Sequence, residues 1–176
     1  MKGLCRLMTV CMLALGAFVI PQAQAQFDNP ATDVSVRLGA NVVNRASMRV
    51  VGDVWLAVGA DVKLRSGSLI GEGELFLGVD YYTRSSKGLT STITAITLTQ
   101  VFSIDPSEKF RGYIGAGAGA YVLKPAGVSA KTVFGGKLVL GYDINEKLFL
   151  EVNYHLTGKE LEFRGDSTTL LVGYRF

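Results

Sequence analysis

Apolar and polar side chains alternate along eight segments of the chain between Val34 and Phe176. A period of two residues is typical of β-strands whose two faces meet different surroundings. The apolar face of every segment lacks Asp, Glu, Lys and Arg, so this face is suited to contact with lipid. The pattern predicts strands at residues 34–43, 53–65, 74–84, 92–104, 110–123, 132–144, 148–157 and 168–176.

Each predicted strand reaches the roughly 9 to 11 residues that a tilted strand needs to cross a bilayer. Because lipid offers no hydrogen bonds to an open sheet edge, membrane-spanning strands must close into a barrel. Eight strands make the smallest common barrel, and its interior can be filled by side chains. We therefore predict an all-β fold, an eight-stranded antiparallel up-and-down transmembrane β-barrel.

The polar face of the strands distinguishes this barrel from a soluble barrel of the lipocalin type, which alternates in the same way but turns its apolar face inward. On the polar face, glycines such as Gly59, Gly78 and Gly173 stand among charges of nearly balanced sign. Glycines suit a crowded interior, and charges there must pair because an unpaired buried charge is costly. A solvated outer face with incidental ion pairs is the alternative. The predicted interior network comprises Arg37, Asp61, Glu74, Asp80, Lys137, Glu151 and Arg175.

Aromatic residues near the strand ends agree with a membrane location, because amphipathic rings prefer the two interfaces of a bilayer. Tyr81, Phe134 and Tyr154 are expected near one interface. The other interface is expected to hold Phe102, Phe110, Tyr142, Tyr174 and Phe176.

The first 25 residues have the features of a secretory signal peptide. Lys2 and Arg6 precede an apolar run of about 14 residues, shorter than the roughly 20 of a membrane-spanning helix. We predict cleavage after Ala25, which leaves a barrel domain at residues 26–176; an uncleaved anchor helix is the alternative. Both cysteines, Cys5 and Cys11, fall in the leader, so the mature chain would have no thiol.

Without the leader, 16 Lys and Arg face 15 Asp and Glu, a net charge of +1. This near-neutral balance gives no indication of nucleic-acid binding.

Three stretches of sequence, at residues 113–117, 150–155 and 172–176, resemble the small outer-membrane β-barrel proteins of Gram-negative bacteria, the OmpA-transmembrane, OmpX and OmpW-like group. The resemblance implies export through the periplasm to the outer membrane, with outer-membrane lipids and the outer-membrane assembly machinery as partners. We expect a monomer. The resemblance also implies that the assembly machinery recognises a C-terminal signal made of Leu170, Val172, Tyr174 and Phe176.

No catalytic constellation is evident. The single histidine, His155, has Glu151 on the same face and Ser167 across the next loop. Similar lipid A deacylases carry Ser directly beside His, where this chain has Leu156. Catalysis would require hydrogen-bond contact among nucleophile, base and orienting group, and we predict no enzymatic activity. We also expect no cofactor and no metal, because phosphate-loop context and clustered ligands are both missing from the sequence.

These expectations favour a non-enzymatic barrel with a structural or surface-interaction role and a largely filled interior. A narrow porin-like channel for small or apolar solutes is the alternative, and a lipid-modifying barrel enzyme is a third possibility. A surface adhesin or receptor would use the loops at one end, at residues 44–52, 85–91, 124–131 and 158–166, all of them short.

Overall fold

The alternating segments form eight strands that hydrogen-bond in chain order and close into a barrel, since β1 also pairs with β8. The computed structural model describes residues 34–64, 69, 73–104, 111–159 and 164–176. Every neighbouring pair is antiparallel. The strands are β1 Val34–Val43, β2 Val54–Leu64, β3 Glu74–Ser86, β4 Leu89–Ser103, β5 Gly112–Lys124, β6 Lys131–Asp143, β7 Leu148–Thr157 and β8 Ser167–Arg175.

The barrel has two distinct ends. Val34 begins β1 and Arg175 ends β8 at the same end, which we call the terminal end. The connections β2–β3, β4–β5 and β6–β7 also lie there, because consecutive strands are antiparallel. The other four connections lie at the opposite end.

The side-chain orientation is that of a membrane barrel and confirms the predicted fold class. Leu38, Leu138 and Leu170 point outward and are 59, 53 and 60 % exposed. Arg37 and Lys137, their neighbours in sequence, point into the barrel and are 3 and 2 % exposed. A soluble barrel of the lipocalin type would have the reverse arrangement, so that alternative is wrong.

The hairpin between β3 and β4 is longer than predicted. Residues 85–91 were expected to form a loop, but β3 continues to Ser86 and β4 begins at Leu89. Only Lys87 and Gly88 remain in the turn, both with positive φ, as a tight hairpin turn of this twist requires. Cross-strand pairing of Ser and Thr residues extends the ladder, which the sequence pattern did not indicate because both faces there are polar.

A short 3₁₀ helix, Ala46–Val51, occupies the connection between β1 and β2, which the sequence predicted only as a polar turn. Its Met48 and Val51 side chains are buried. This segment therefore folds toward the lumen instead of extending from the barrel.

Several predictions lie outside the described residues. They concern the signal peptide and its cleavage site, Arg65 at the predicted end of the second strand, and Phe110 at an interface. In the part of the chain that the structure describes, no helix is long and apolar enough to cross a membrane.

Candidate functional site: the barrel interior

The middle of the barrel holds a buried ion-pair network of five residues contributed by five strands: Arg37, Asp61, Asp80, Lys137 and Glu151. Arg37 Nη2 lies 2.9 Å from Asp61 Oδ1 and 2.7 Å from Asp80 Oδ1. Arg37 Nη1 lies 2.9 Å from Glu151 Oε2. Lys137 Nζ donates to the second oxygen of Asp80 at 3.2 Å. One guanidinium thus joins three carboxylates from different strands, which ties distant parts of the wall together.

Inward glycines provide the space for this network. A Cβ on Gly59 would lie 2.3 Å from Asp80 Oδ1, and a Cβ on Gly78 would lie 2.3 Å from Asp61 Oδ1. The same relation holds for rings, since a Cβ on Gly173 would lie 2.0 Å from the ring of Phe149. Each of these glycines therefore leaves room for a bulky side chain from a neighbouring strand.

Two predicted members of the network, Glu74 and Arg175, lie apart from it. Glu74 pairs with Lys63, and both side chains are substantially exposed. Arg175 pairs with Asp143 at 2.8 Å, and its guanidinium lies 4.5 Å from the centre of the Phe149 ring. By strand alternation both residues face inward, as the network residues do. They lie where β3 begins and β8 ends, at the terminal end, and water reaches them there.

Toward the opposite end the lumen is filled by an apolar plug, which sequence reasoning missed. Met48 from the 3₁₀ helix contributes to it, together with Trp55, Tyr82 and Tyr121, and all four are at most 1 % exposed. The sequence feature that could have predicted the plug is the bulky apolar residues that stand among the glycines and charges at inward-facing positions. The plug comprises Val43, Met48, Val51, Trp55, Ala57, Tyr82, Ile93, Ala95, Tyr121, Leu123, Val133 and Leu171.

His155 lies beside the plug, between two tyrosines. Tyr82 Oη is 2.8 Å from Nε2 and Tyr121 Oη is 3.1 Å from Nδ1. Because Tyr121 Oη donates to the Gly136 carbonyl, it accepts from Nδ1–H, and Nε2 then accepts from the Tyr82 hydroxyl. A neutral imidazole with its proton on Nδ1 satisfies both contacts, and the burial of His155 disfavours the charged form.

The residues considered for catalysis do not form a catalytic group. Ser167 is the cross-strand partner of His155, but both imidazole nitrogens are bonded to tyrosines. Glu151 instead accepts from Arg37 and from Tyr113. His155 and Ser167 are each 1 % exposed, so a lipid substrate has no access to them.

At the opposite end a buried carboxylate, Asp166, joins the start of β8 to the end of β7 and to the connection between β1 and β2. It accepts from Arg45 Nε at 2.7 Å and from the Thr157 backbone N–H at 2.9 Å, and Arg164 lies 3.3 Å away. Burial acts to raise the pKa of Asp166, but the Thr157 hydrogen bond and the two arginines outweigh it and lower the pKa below its usual value. Asp166 is therefore ionised near neutral pH.

On the terminal side of the network the described residues leave a cavity, although a largely filled interior was expected. A cavity of about 880 Å³ extends from the network to the turns at the terminal end. Arg37, Asp61 and Glu151 line its inner part. The rings of Tyr113 and Phe149 line its wall, because Gly141 and Gly173 leave them room to lie flat. Among the described residues, no group of three or more His, Cys, Asp or Glu has the arrangement of a metal site.

The outer wall carries the predicted aromatic residues and the predicted C-terminal signal. Tyr81, Phe134 and Tyr154 are exposed on one half of the wall, and Tyr142 is exposed on the other. The four residues of the predicted assembly signal all point outward on or just after β8, at 37 to 60 % exposure: Leu170, Val172, Tyr174 and Phe176.

No protein-family model matches this chain, and no curated protein sequence matches it. Solved structures do. The N-terminal β-barrel domain of Pseudomonas aeruginosa OprF has a TM-score of 0.54 and 16 % identity, covering 81 % of this chain and 96 % of its own. The Yersinia pestis outer membrane protein Ail has a TM-score of 0.54 and 13 % identity, and the match covers 82 % of this chain and 99 % of Ail. Neisserial surface protein A has a TM-score of 0.53 and 14 % identity, covering 81 % and 92 %.

The chain therefore has the fold of the small eight-stranded outer-membrane barrels, as its outward apolar face also indicates. At identities of 13 to 16 %, the likeness concerns the fold.

Proposed function

We propose that this protein is an integral outer-membrane β-barrel with a structural or surface-interaction role, and that its lumen does not conduct. The observation that carries this proposal is the apolar plug, which fills the lumen between the network and the opposite end. Trp55 and Tyr121 are 1 and 0 % exposed, so water has little access to this part of the barrel axis. An ion crossing it would lose its hydration among largely apolar side chains, at a large free-energy cost.

The narrow channel is the weaker alternative. A conducting path would have to pass both the plug and a network in which Arg37 already bonds three carboxylates. An eight-stranded barrel has little free bore beyond what its side chains occupy. The cavity on the terminal side is consistent with a blind pocket.

Conductance of the refolded chain, residues 26–176, in a planar bilayer tests the proposal. We expect no stepwise current above the baseline of the lipid alone. Insertion is checked on the same sample by gel migration, which should be faster before boiling than after it. Reproducible single-channel steps from a sample that passes this check would refute the sealed lumen, and unchanged migration on boiling would refute a stable barrel.

Support for a surface-interaction role comes from the charge at the opposite end. The segments 44–53, 84–91, 124–131 and 158–166 contain eight Lys and Arg against four Asp and Glu. Lys87 and Lys124 are exposed there. A net positive rim favours contact with the phosphate groups of anionic outer-leaflet lipids, and salt should weaken that contact.

Thermal unfolding in lipid vesicles tests this second element. The barrel should unfold at a higher temperature in vesicles that contain phosphatidylglycerol than in vesicles of phosphatidylcholine alone. Salt at about 0.5 M should abolish this difference in unfolding temperature, because it screens exposed charges. The double variant Lys87→Gln, Lys124→Gln should show a smaller lipid effect. An unfolding temperature that does not respond to lipid charge would refute a contact of this kind.

A further inference from the structure

The inner end of the cavity carries more negative than positive charge. The network contains three carboxylates, on Asp61, Asp80 and Glu151, and two cations, on Arg37 and Lys137. The adjacent His155 is 1 % exposed, and such burial disfavours a charged imidazole, so it adds no charge in its neutral form. One negative charge is therefore left without a counterpart when all three carboxyls are ionised. A buried charge without a counterpart is unfavourable, so the site favours an additional cation.

Asp61 is the carboxylate with the most capacity for a further donor. Its Oδ1 accepts from Arg37, but within the described part of the chain Oδ2 accepts only from the Ser35 hydroxyl, at 3.4 Å. In contrast, Asp80 accepts from a cation on each oxygen. Asp61 lines the cavity, whereas Asp80 does not. The charge surplus is thus accessible from the cavity at Asp61.

A second polar group in the cavity wall also lacks a partner. The Thr99 residue lines the cavity and is 4 % exposed, and among the described residues Thr99 Oγ1 has no hydrogen-bond partner. Buried hydroxyls in folded proteins are almost always bonded, to protein, water or ligand. Thr99 can accept from a ligand N–H as well as donate.

The cavity wall suits an organic cation. Tyr113 and Phe149 provide aromatic faces, which attract ammonium and guanidinium groups. The chain itself shows this preference at the mouth, where the Arg175 guanidinium lies 4.5 Å from the centre of the Phe149 ring and 5.9 Å from that of Tyr113. The volume of about 880 Å³ falls in the range of small-molecule sites.

We propose that this cavity is a binding site for a small linear amine, which enters from the terminal end and places an ammonium group at Asp61. The aliphatic part of the amine then lies along Tyr113 and Phe149. A bare metal ion fits less well, because the described residues hold no cluster of three or more metal-ligating side chains. This site goes beyond the structural role proposed above and does not require the lumen to conduct.

Calorimetric titration of the refolded chain in a non-ionic detergent, with spermidine as the probe, tests the site. We expect saturable binding of spermidine and none of triethylene glycol, a neutral molecule of similar length. Asp61→Asn should weaken spermidine binding at least tenfold. The matched control Asp53→Asn, which removes a carboxylate at the opposite end, should leave the affinity unchanged.

Three results would overturn the proposal: folded wild-type protein that does not bind spermidine, equal binding of triethylene glycol, or equal affinity in Asp61→Asn. The first of these would be expected if a proton neutralises the surplus charge instead. Should Asp61→Asn fail to fold, ring NMR signals of the wild-type chain decide the matter. Spermidine should shift the signals of Tyr113 and Phe149 but leave those of Tyr82 and Tyr121 in place, and any other pattern contradicts the site.

Discussion

Replacing Arg37 with methionine should be among the most destabilising single changes in the barrel. The guanidinium is 2 % exposed and lies within 2.9 Å of oxygens from three carboxylates. Arg37→Met keeps a similar length of apolar side chain but leaves those carboxylates with Lys137 as the remaining cation of the network. Removing one partner of a buried ion pair costs about 3 to 5 kcal/mol, because the other charge stays buried without compensation. That cost corresponds to about two to four orders of magnitude in the folding equilibrium.

The exposed pair between Arg49 and Asp53 provides the control. Its atoms are 3.6 Å apart and the two side chains are 41 and 62 % exposed. Asp53→Asn should therefore cost at most about 1 kcal/mol. Arg37→Lys should fall between the two variants, because an ammonium keeps the charge but cannot match the fork geometry of a guanidinium.

Urea unfolding in detergent, followed by tryptophan fluorescence, measures these differences. Trp55 is the single tryptophan and is buried in the plug, so its emission reports loss of the packed barrel. A free energy of unfolding for Arg37→Met within 1 kcal/mol of the wild type would refute the reasoning. The network would then contribute little to stability, and its carboxylates would have to be neutralised in another way.

Three further predictions concern the glycines, the plug and the opposite end. Gly173→Ala should destabilise by about 1 to 3 kcal/mol because its methyl would overlap the Phe149 ring; the outward-facing Gly136→Ala, whose Cβ would have 3.6 Å of clearance, should be near neutral in the same urea assay. Met48→Ala should cost about 2 to 5 kcal/mol, since Met48 is fully buried, and a loss below 0.5 kcal/mol would contradict tight packing of the 3₁₀ helix in the plug. Asp166→Asn should be less stable than the wild type at pH 7, and the gap should close as the pH falls from about 4 toward the lower pKa that Asp166 has in the folded state. A gap that persists at low pH would assign the effect to something other than ionisation.

Much of the wall could be predicted from the sequence because strand alternation is a local property. Leu138 and Lys137 differ by one position and face lipid and lumen respectively, as a period of two requires. Strand alternation also predicted which charged residues face inward, but it could not predict which of them pair. Which inward side chains meet depends on their level along the barrel axis. Glu74 and Arg175 share the parity of Arg37 and yet lie near water at the terminal end.

The plug and the cavity could not be predicted because they depend on long-range packing. Met48 lies in a polar stretch with no period, and nothing local indicates that its connection turns into the lumen. Trp55 and Tyr82 sit at inward positions that the sequence places beside charges, and the structure separates the two kinds of side chain by level. An alternation pattern contains no information about which level of the lumen is filled.

Water in the cavity and the strength of the network depend on each other. Asp80, at 0 % exposure, does not border the cavity and is bonded directly to Lys137. Asp61 and Glu151, each 7 % exposed, border the cavity, where solvent can offset part of their desolvation cost. A barrel packed with apolar side chains from end to end would remove that solvent, and the surplus carboxylate would then have to take up a proton. The cavity on the terminal side therefore lowers the cost of placing three carboxylates and two cations in so narrow a lumen.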